Sequence, residues 1–174
     1  MFDIIVHDNF LEDRDYQKLK NTFSLDSPYK APWFYNDNIV DHERPDSPYN
    51  FQFTHVLYDN YSEDPPAKST YWEIIFPILY KLKAKTLIRS KVNLRTRTPE
   101  IYESEFHTDF NEVIEGHKTA IFYLNTNNGY TLFKSGEKIK SIANRIIIFD
   151  ARLYHCGGSC TDEKIRTLIN INYI

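Results

Sequence analysis

Apolar residues change their period once along this chain. Before about residue 86 the two clearest stripes are helical, and from Leu87 onward apolar and polar positions alternate. Tyr16, Leu19 and Phe23 recur at helical spacing, with Asp13, Asp15, Lys18 and Lys20 on the other side, which predicts a helix over residues 12–23. Its acidic start suits the positive end of the helix dipole. Trp72, Ile75, Phe76, Leu79 and Leu82 form a second stripe and predict a helix over residues 70–85. Thr70 and Glu73 have the spacing of a capping box, and Pro77 predicts a kink or a late start. A short apolar run over residues 2–6 reads as a strand.

Residues 24–66 are irregular, punctuated by Pro28, Pro32, Pro45, Pro48, Pro65 and Pro66. Trp33, Phe34, Tyr35, Tyr49, Phe51 and Phe53 make this stretch too aromatic for a solvated linker. It reads as an ordered loop region over one end of the domain, either covering a site or packing an edge, with a strand over residues 51–58.

The second half reads as β. Strands are expected over residues 87–97, 102–109, 118–124, 130–133, 145–149 and 166–174, with a hairpin around Gly136 and a turn at Asn127-Asn128-Gly129. Two helices with loops followed by about seven strands predict an antiparallel sandwich or barrel backed by helices. A single domain over residues 1–174 is expected, with residues 1–86 supplying the opening strand, helices and loops, and residues 87–174 the β-core.

Composition narrows the function classes. A formal net charge of −3 supplies no basic footprint for nucleic acid or an anionic membrane. With 13 Tyr and 12 Phe the chain is not disordered, and two Cys form no disulfide framework. Neither a leader-like start nor a membrane-length apolar run is visible, so a soluble, cytoplasmic protein is the expectation.

The candidate chemistry centres on Phe106-His107-Thr108-Asp109-Phe110. On a strand His107 and Asp109 would share a face and close on one metal ion. Alone, a histidine and an aspartate two residues apart are weak evidence. His155 is the candidate third ligand, and two histidines with one carboxylate leave coordination positions open, a set suited to non-haem Fe(II). Arg166 opens the last strand and shares a face with Leu168 and Asn170. An inward arginine needs an anion, and a guanidinium suits a carboxylate. Asn170 is either a further contact to that ligand or a polar interior residue.

The order His107-x-Asp109, His155, Arg166 resembles the iron(II)- and 2-oxoglutarate-dependent dioxygenases, especially the prolyl 4-hydroxylase-like branch. Residues 118–125 resemble that branch's strand after the first ligand pair, with Tyr123 at the position of a tyrosine that bonds the far carboxylate of 2-oxoglutarate. Residues 128–133 resemble its Gly-Gly-x-x-x-Phe segment, although Asn128 replaces the first glycine. Residues 2–23 resemble its opening strand and helix. The resemblance implies a double-stranded β-helix, or jelly roll, with Fe(II) held by His107, Asp109 and His155. It also implies 2-oxoglutarate gripped by Arg166 and Tyr123, O2 as oxidant, and hydroxylation of a C–H bond with release of succinate and CO2. The family's second tyrosine falls near Arg97: either Arg97 or Arg95 serves in its place, or Arg97 is an exposed strand arginine. A peptidyl proline or another peptide side chain is the first substrate to expect.

Other readings stay open. A cupin-type metalloenzyme or a non-catalytic metal-binding jelly-roll module would share much of the pattern. Cys156 and Cys160 read as reduced, inert thiols, Asp150 and Arg152 as a local salt bridge or residues at the site mouth, and His7, His42, His55 and His117 as surface or loop residues.

Overall fold

The computed structural model describes residues 3–24, 31–40, 47–61, 65–110 and 115–174. Phe2, Pro28, His42 and Pro45 lie outside the described residues. In chain order the elements are β1 (Ile5–His7), α1 (Asp13–Phe23), β2 (Phe34–Asn36), β3 (Gln52–Asp59) and β4 (Ala67–Lys68). A 3-10 turn (Trp72–Ile75) then runs into α2 (Phe76–Leu82). The rest is β5 (Leu87–Thr96), β6 (Lys118–Tyr123), β7 (Tyr130–Phe133), β8 (Lys138–Lys140), β9 (Ile146–Asp150), β10 (His155–Gly157) and β11 (Ile165–Tyr173).

Two antiparallel sheets form the jelly roll. The larger runs β1-β9-β6-β11-β5-β3-β2, with β4 added beside β3, and the smaller runs β10-β7-β8. Strand alternation divides the larger sheet into two faces. Phe122 of β6, Ile146 of β9 and Ile169, Ile171 and Tyr173 of β11 pack outward against Tyr16, Leu19 and Phe23 of α1 and Ile75 and Ile78. Ile121, Tyr123, Ile147, Phe149 and Leu168 point the other way, where Phe133 of the smaller sheet meets them. The space between the sheets continues beyond this apolar plug as a polar pocket.

Three sequence expectations need correction. The second helix has the late start that Pro77 predicts, since Pro77 sits in its first turn, where its missing N–H costs nothing, but it spans Phe76–Leu82 and not residues 70–85. The residues before it wind as a 3-10 turn, so the stripe changes phase: Ile78 is buried and Phe76 faces outward. No capping box forms; Ser69 Oγ instead accepts from the Tyr71 N–H at 3.1 Å.

Residues 102–109 are not a regular strand. Glu103 bridges Gly158 and His107 bridges His155, so the segment lies antiparallel to β10 with one extra residue on its own side. Such a bulge breaks the alternation of side chains. Finally, His55 is buried, with Nδ1 2.7 Å from Pro32 O and Nε2 2.7 Å from Ser69 Oγ. It ties β3 to two neighbouring segments, and His117 is buried as well.

Candidate functional site

The bulged segment and β10 bring His107, Asp109 and His155 together. One ligating atom from each lies within 4.8 Å of the others. The main-chain bridge joins the histidines directly, His107 N to His155 O and His155 N to His107 O, both at 3.0 Å. Each imidazole is also oriented by its own turn. His107 Nδ1 lies 3.0 Å from Glu105 O, and His155 Nδ1 lies 3.1 Å from Leu153 O. A carbonyl can only accept, so each Nδ1 carries the proton and each Nε2 keeps a lone pair. A backbone carbonyl behind Nδ1 is the usual support of a metal-binding histidine.

The sheet floor supplies the support for Asp109. Asn170 Nδ2 donates to Oδ1 at 3.0 Å, while Asn172 Nδ2 and Thr119 Oγ1 donate to Oδ2 at 2.8 and 3.0 Å. Arg89 Nη2 donates to the Asp109 backbone carbonyl at 3.1 Å and lies 3.8 Å from Oδ1. Burial alone would raise the Asp109 pKa, but His155, Arg89, Lys91 and His107 outweigh it and hold the carboxyl well below its ordinary value. Burial, with His155 beside it, lowers His107 to about 4. At neutral pH Asp109 therefore stands as an anionic carboxylate and His107 as a neutral imidazole.

The pocket continues from this cluster along β5 and β11. Three cross-strand pairs line it: Lys91 opposite Asn170, Asn93 opposite Leu168, and Arg95 opposite Arg166. Arg166 is buried at the end remote from Asn170. Its Nε donates to Ser141 Oγ at 2.8 Å, and its Nη2 donates to Tyr130 O at 3.0 Å and Thr131 Oγ1 at 3.4 Å. Gly129 is required here, because a Cβ would stand 2.6 Å from Arg166 Cδ and 2.7 Å from Ser159 O. The glycine that persists in the Asn128-Gly129 turn is thus the one against which the arginine stem lies.

The remaining expected site residues fall as follows. Tyr123 is fully buried, and its O–H donates to Thr131 Oγ1 at 2.8 Å; Thr131, in front of it, lines the pocket. Asn170 lines the pocket and holds Asp109. Arg97 is exposed and does not line the pocket; its position past the end of β5 carries it away. Arg95, two residues earlier and on the inner face, does line it. Arg152 pairs with Asp150 through Nε and Nη2 at 2.8 and 2.7 Å. Cys156 and Cys160 are free, buried thiols, and burial pushes Cys156 up to about 11.

Thr119, Thr131, Ser141 and Asn172 escaped the sequence reading. Asn172 was within reach of it: Arg166, Leu168, Asn170 and Asn172 occupy alternate positions of a strand whose other face is apolar.

No family model matches the sequence, and no curated protein matches it. Solved structures match closely in backbone over nearly the whole chain. A 2OG-Fe(II) oxygenase family oxidoreductase from Burkholderia pseudomallei superimposes with a TM-score of 0.69 at 10% identity, covering 98% of this chain and 84% of that one. A prolyl hydroxylase from Trichoplax adhaerens, solved with a hypoxia inducible factor peptide fragment, gives 0.64 at 13% identity, covering 98% and 83%. The alpha-ketoglutarate-dependent epimerase SnoN from nogalamycin biosynthesis gives 0.61 at 12% identity, covering 98% and 78%. With its two antiparallel sheets and the pocket between them, the chain has the fold of the 2OG-Fe(II) oxygenases, prolyl hydroxylases among them.

Proposed function

We propose that the protein is an Fe(II)- and 2-oxoglutarate-dependent dioxygenase that hydroxylates a C–H bond of its substrate, with release of succinate and CO2. One observation carries this reading: a cluster of two imidazoles and a carboxylate at one end of a pocket faces a buried arginine at the other, with no carboxylate partner among the described residues. The donor set fits Fe(II), since it offers two imidazole nitrogens and one hard carboxylate oxygen and leaves open positions. Among the described residues no other group of histidine, cysteine and acidic side chains has metal-binding spacing.

His107, Asp109 and His155 would hold the metal, and Arg166 would hold the far carboxylate of 2-oxoglutarate. Iron, the keto acid and dioxygen supply the oxidising chemistry when bound there. The chain supplies the rest. Asn170, Asn172 and Thr119 fix Asp109 as a carboxylate and set the direction of its free lone pairs. Glu105 O and Leu153 O fix the tautomers of the two histidines. Tyr123, behind Thr131, donates to that hydroxyl and holds it at the pocket wall. The floor of alternating β11 side chains keeps both ends of the pocket at a fixed separation.

The substrate class proposed first is a peptide side chain, peptidyl proline included. Support comes from the edge strand β2, which pairs with β3 beside Gln52, a residue that lines the pocket. Phe34 and Tyr35 on the edge strand β2 are 60% and 62% exposed, and Tyr35 packs against Phe51 and Phe53. An edge strand with exposed rings suits an extended peptide.

The test is anaerobic titration of the Fe(II)-loaded protein with 2-oxoglutarate, following the weak visible charge-transfer band of the chelate. The band is expected in the wild type and absent in His107→Ala and Asp109→Ala. Iron binding with no band in the wild type would refute the assignment of the co-substrate and return the site to a metal-binding module.

A further inference from the structure

Arg95 and Arg166 stand directly opposite one another on β5 and β11. Cβ atoms of such pairs are only ~4.5–5.5 Å apart, a spacing at which like charges repel. Both residues are buried, 5% and 3% exposed, and neither has a carboxylate partner among the described residues. Burial, and then the charge of Arg166, lowers Arg95 to about 10. Two adjacent guanidinium groups in an interior are costly unless an anion joins them.

Their spare donors converge on one point. Arg166 Nη1 makes no hydrogen bond among the described residues, its Nε and Nη2 being engaged elsewhere. Arg95 Nη1 gives one hydrogen to Gly157 O at 2.6 Å and Nη2 gives one to Tyr102 O at 3.1 Å, so Nη1 keeps a second N–H. A Cβ built on Gly157 would stand 3.5 Å from Arg166 Nη1 and 3.7 Å from Arg95 Nη1. The volume left by the missing side chain therefore lies between the two groups, on the pocket wall.

We propose that Arg95 and Arg166 form a single two-arginine clamp for the distal carboxylate of 2-oxoglutarate, seated in the gap beside Gly157. The clamp rests on the co-substrate reading of the pocket and adds to it a second positive charge and a specific seat. It makes the site demand a distal carboxylate: an acid that chelates metal but lacks that group gains nothing from either arginine. The bland reading of Arg95 is a brace that ties Gly157 and Tyr102 together, and the two readings part in experiment.

Calorimetry would be run with 2-oxoglutarate and with oxalate, which chelates but has no distal carboxylate, on the Mn(II)-loaded protein. Glutarate, which has the distal carboxylate but no keto group, would be titrated into metal-free protein. Arg95→Met removes brace and charge together. Gly157→Ala keeps every hydrogen bond of both arginines and fills the seat. The clamp predicts that each variant weakens 2-oxoglutarate and glutarate by about 10- to 100-fold, the range for hydrogen bonds to a charged group, and leaves oxalate within about twofold. If Arg95→Met loses its cooperative melt, Gly157→Ala decides alone. Wild-type affinity for 2-oxoglutarate in Gly157→Ala would overturn the clamp. Arg95-dependent binding of both glutarate and 2-oxoglutarate, in a protein where Mn(II) adds nothing to 2-oxoglutarate affinity and oxalate does not bind, would uphold the clamp and sink the dioxygenase reading.

Discussion

Gly129→Ala adds one methyl group at the most crowded of the five glycines. The new Cβ would meet Arg166 Cδ at 2.6 Å, Asn127 Oδ1 at 2.7 Å and Ser159 O at 2.7 Å. Carbon contacts are comfortable at ~3.5–4.0 Å, so something must move by about 1 Å. Ser159 cannot give: it is fully buried, its carbonyl is main chain, and its Oγ accepts from the Tyr102 N–H at 2.8 Å. Asn127 is held as well, since its Oδ1 accepts from the Gly129 N–H at 2.9 Å. The stem of Arg166 must therefore shift, straining its bonds to Ser141 and Tyr130. Overpacking of this kind costs about 1–3 kcal/mol. For a chain of this size each kcal/mol moves Tm by about 2–4 °C, so a fall of roughly 2–12 °C is expected. Moving the guanidinium by that distance should also weaken 2-oxoglutarate by about 10-fold, the lower end for a charged hydrogen bond. Differential scanning calorimetry and equilibrium dialysis on the Mn(II) form read the two effects separately. A Tm within about 1 °C of wild type together with unchanged 2-oxoglutarate affinity would refute the claim that Arg166 is braced against this glycine.

Three further outcomes are expected. Asn172→Ala removes the 2.8 Å donor to Asp109 Oδ2 and should lower metal affinity by about 10- to 100-fold without changing the ligand set, as Mn(II) titration followed by electron paramagnetic resonance would read. The hydrogen bond from Arg145 lowers the Asp8 pKa below its ordinary 3.8. A carboxyl whose folded pKa is depressed stabilises the fold above its unfolded value and loses that contribution as pH falls through the folded one. Asp8→Asn should therefore flatten the acid limb of Tm against pH below about pH 4, with only a small effect because the side chain is half exposed. Cys156 and Cys160 are buried and their thiols are held above the ordinary value by burial, so Ellman's reagent should titrate neither in the native protein and both after unfolding.

The β-core was legible because its signals are local. The alternation over β11 already separated Arg166, Leu168 and Asn170 from Thr167, Ile169 and Ile171, and the same division appears in the two faces of the sheet. The turn at Asn127-Asn128-Gly129 likewise announced β7. What stayed illegible depends on partners far away in sequence. Residues 103–107 pair with β10 only through two bridges and a bulge, which no period in one segment reveals. The choice between Arg95 and Arg97 turned on where β5 ends, and a shift of two residues decides whether an arginine meets Arg166 or water. Pro77 announced the late start of the second helix, but not that the residues before it would wind as a 3-10 turn and turn Phe76 outward. His55 is a buried tie whose two hydrogen-bond partners, Pro32 O and Ser69 Oγ, lie on other segments.

The position of β11 between β5 and β6 has a consequence for how the molecule is made. Residues 165–173 emerge from the ribosome after every other strand, yet they fill the centre of the larger sheet. Until they arrive, β5 and β6 present two unpaired edges to one another across a slot, which is the state most open to wrong pairing. Closing the slot joins strands distant in sequence, a slow step governed by loop closure. The same event delivers Arg166, Asn170 and Asn172, so the pocket acquires its second arginine and Asp109 its two amide donors in one move.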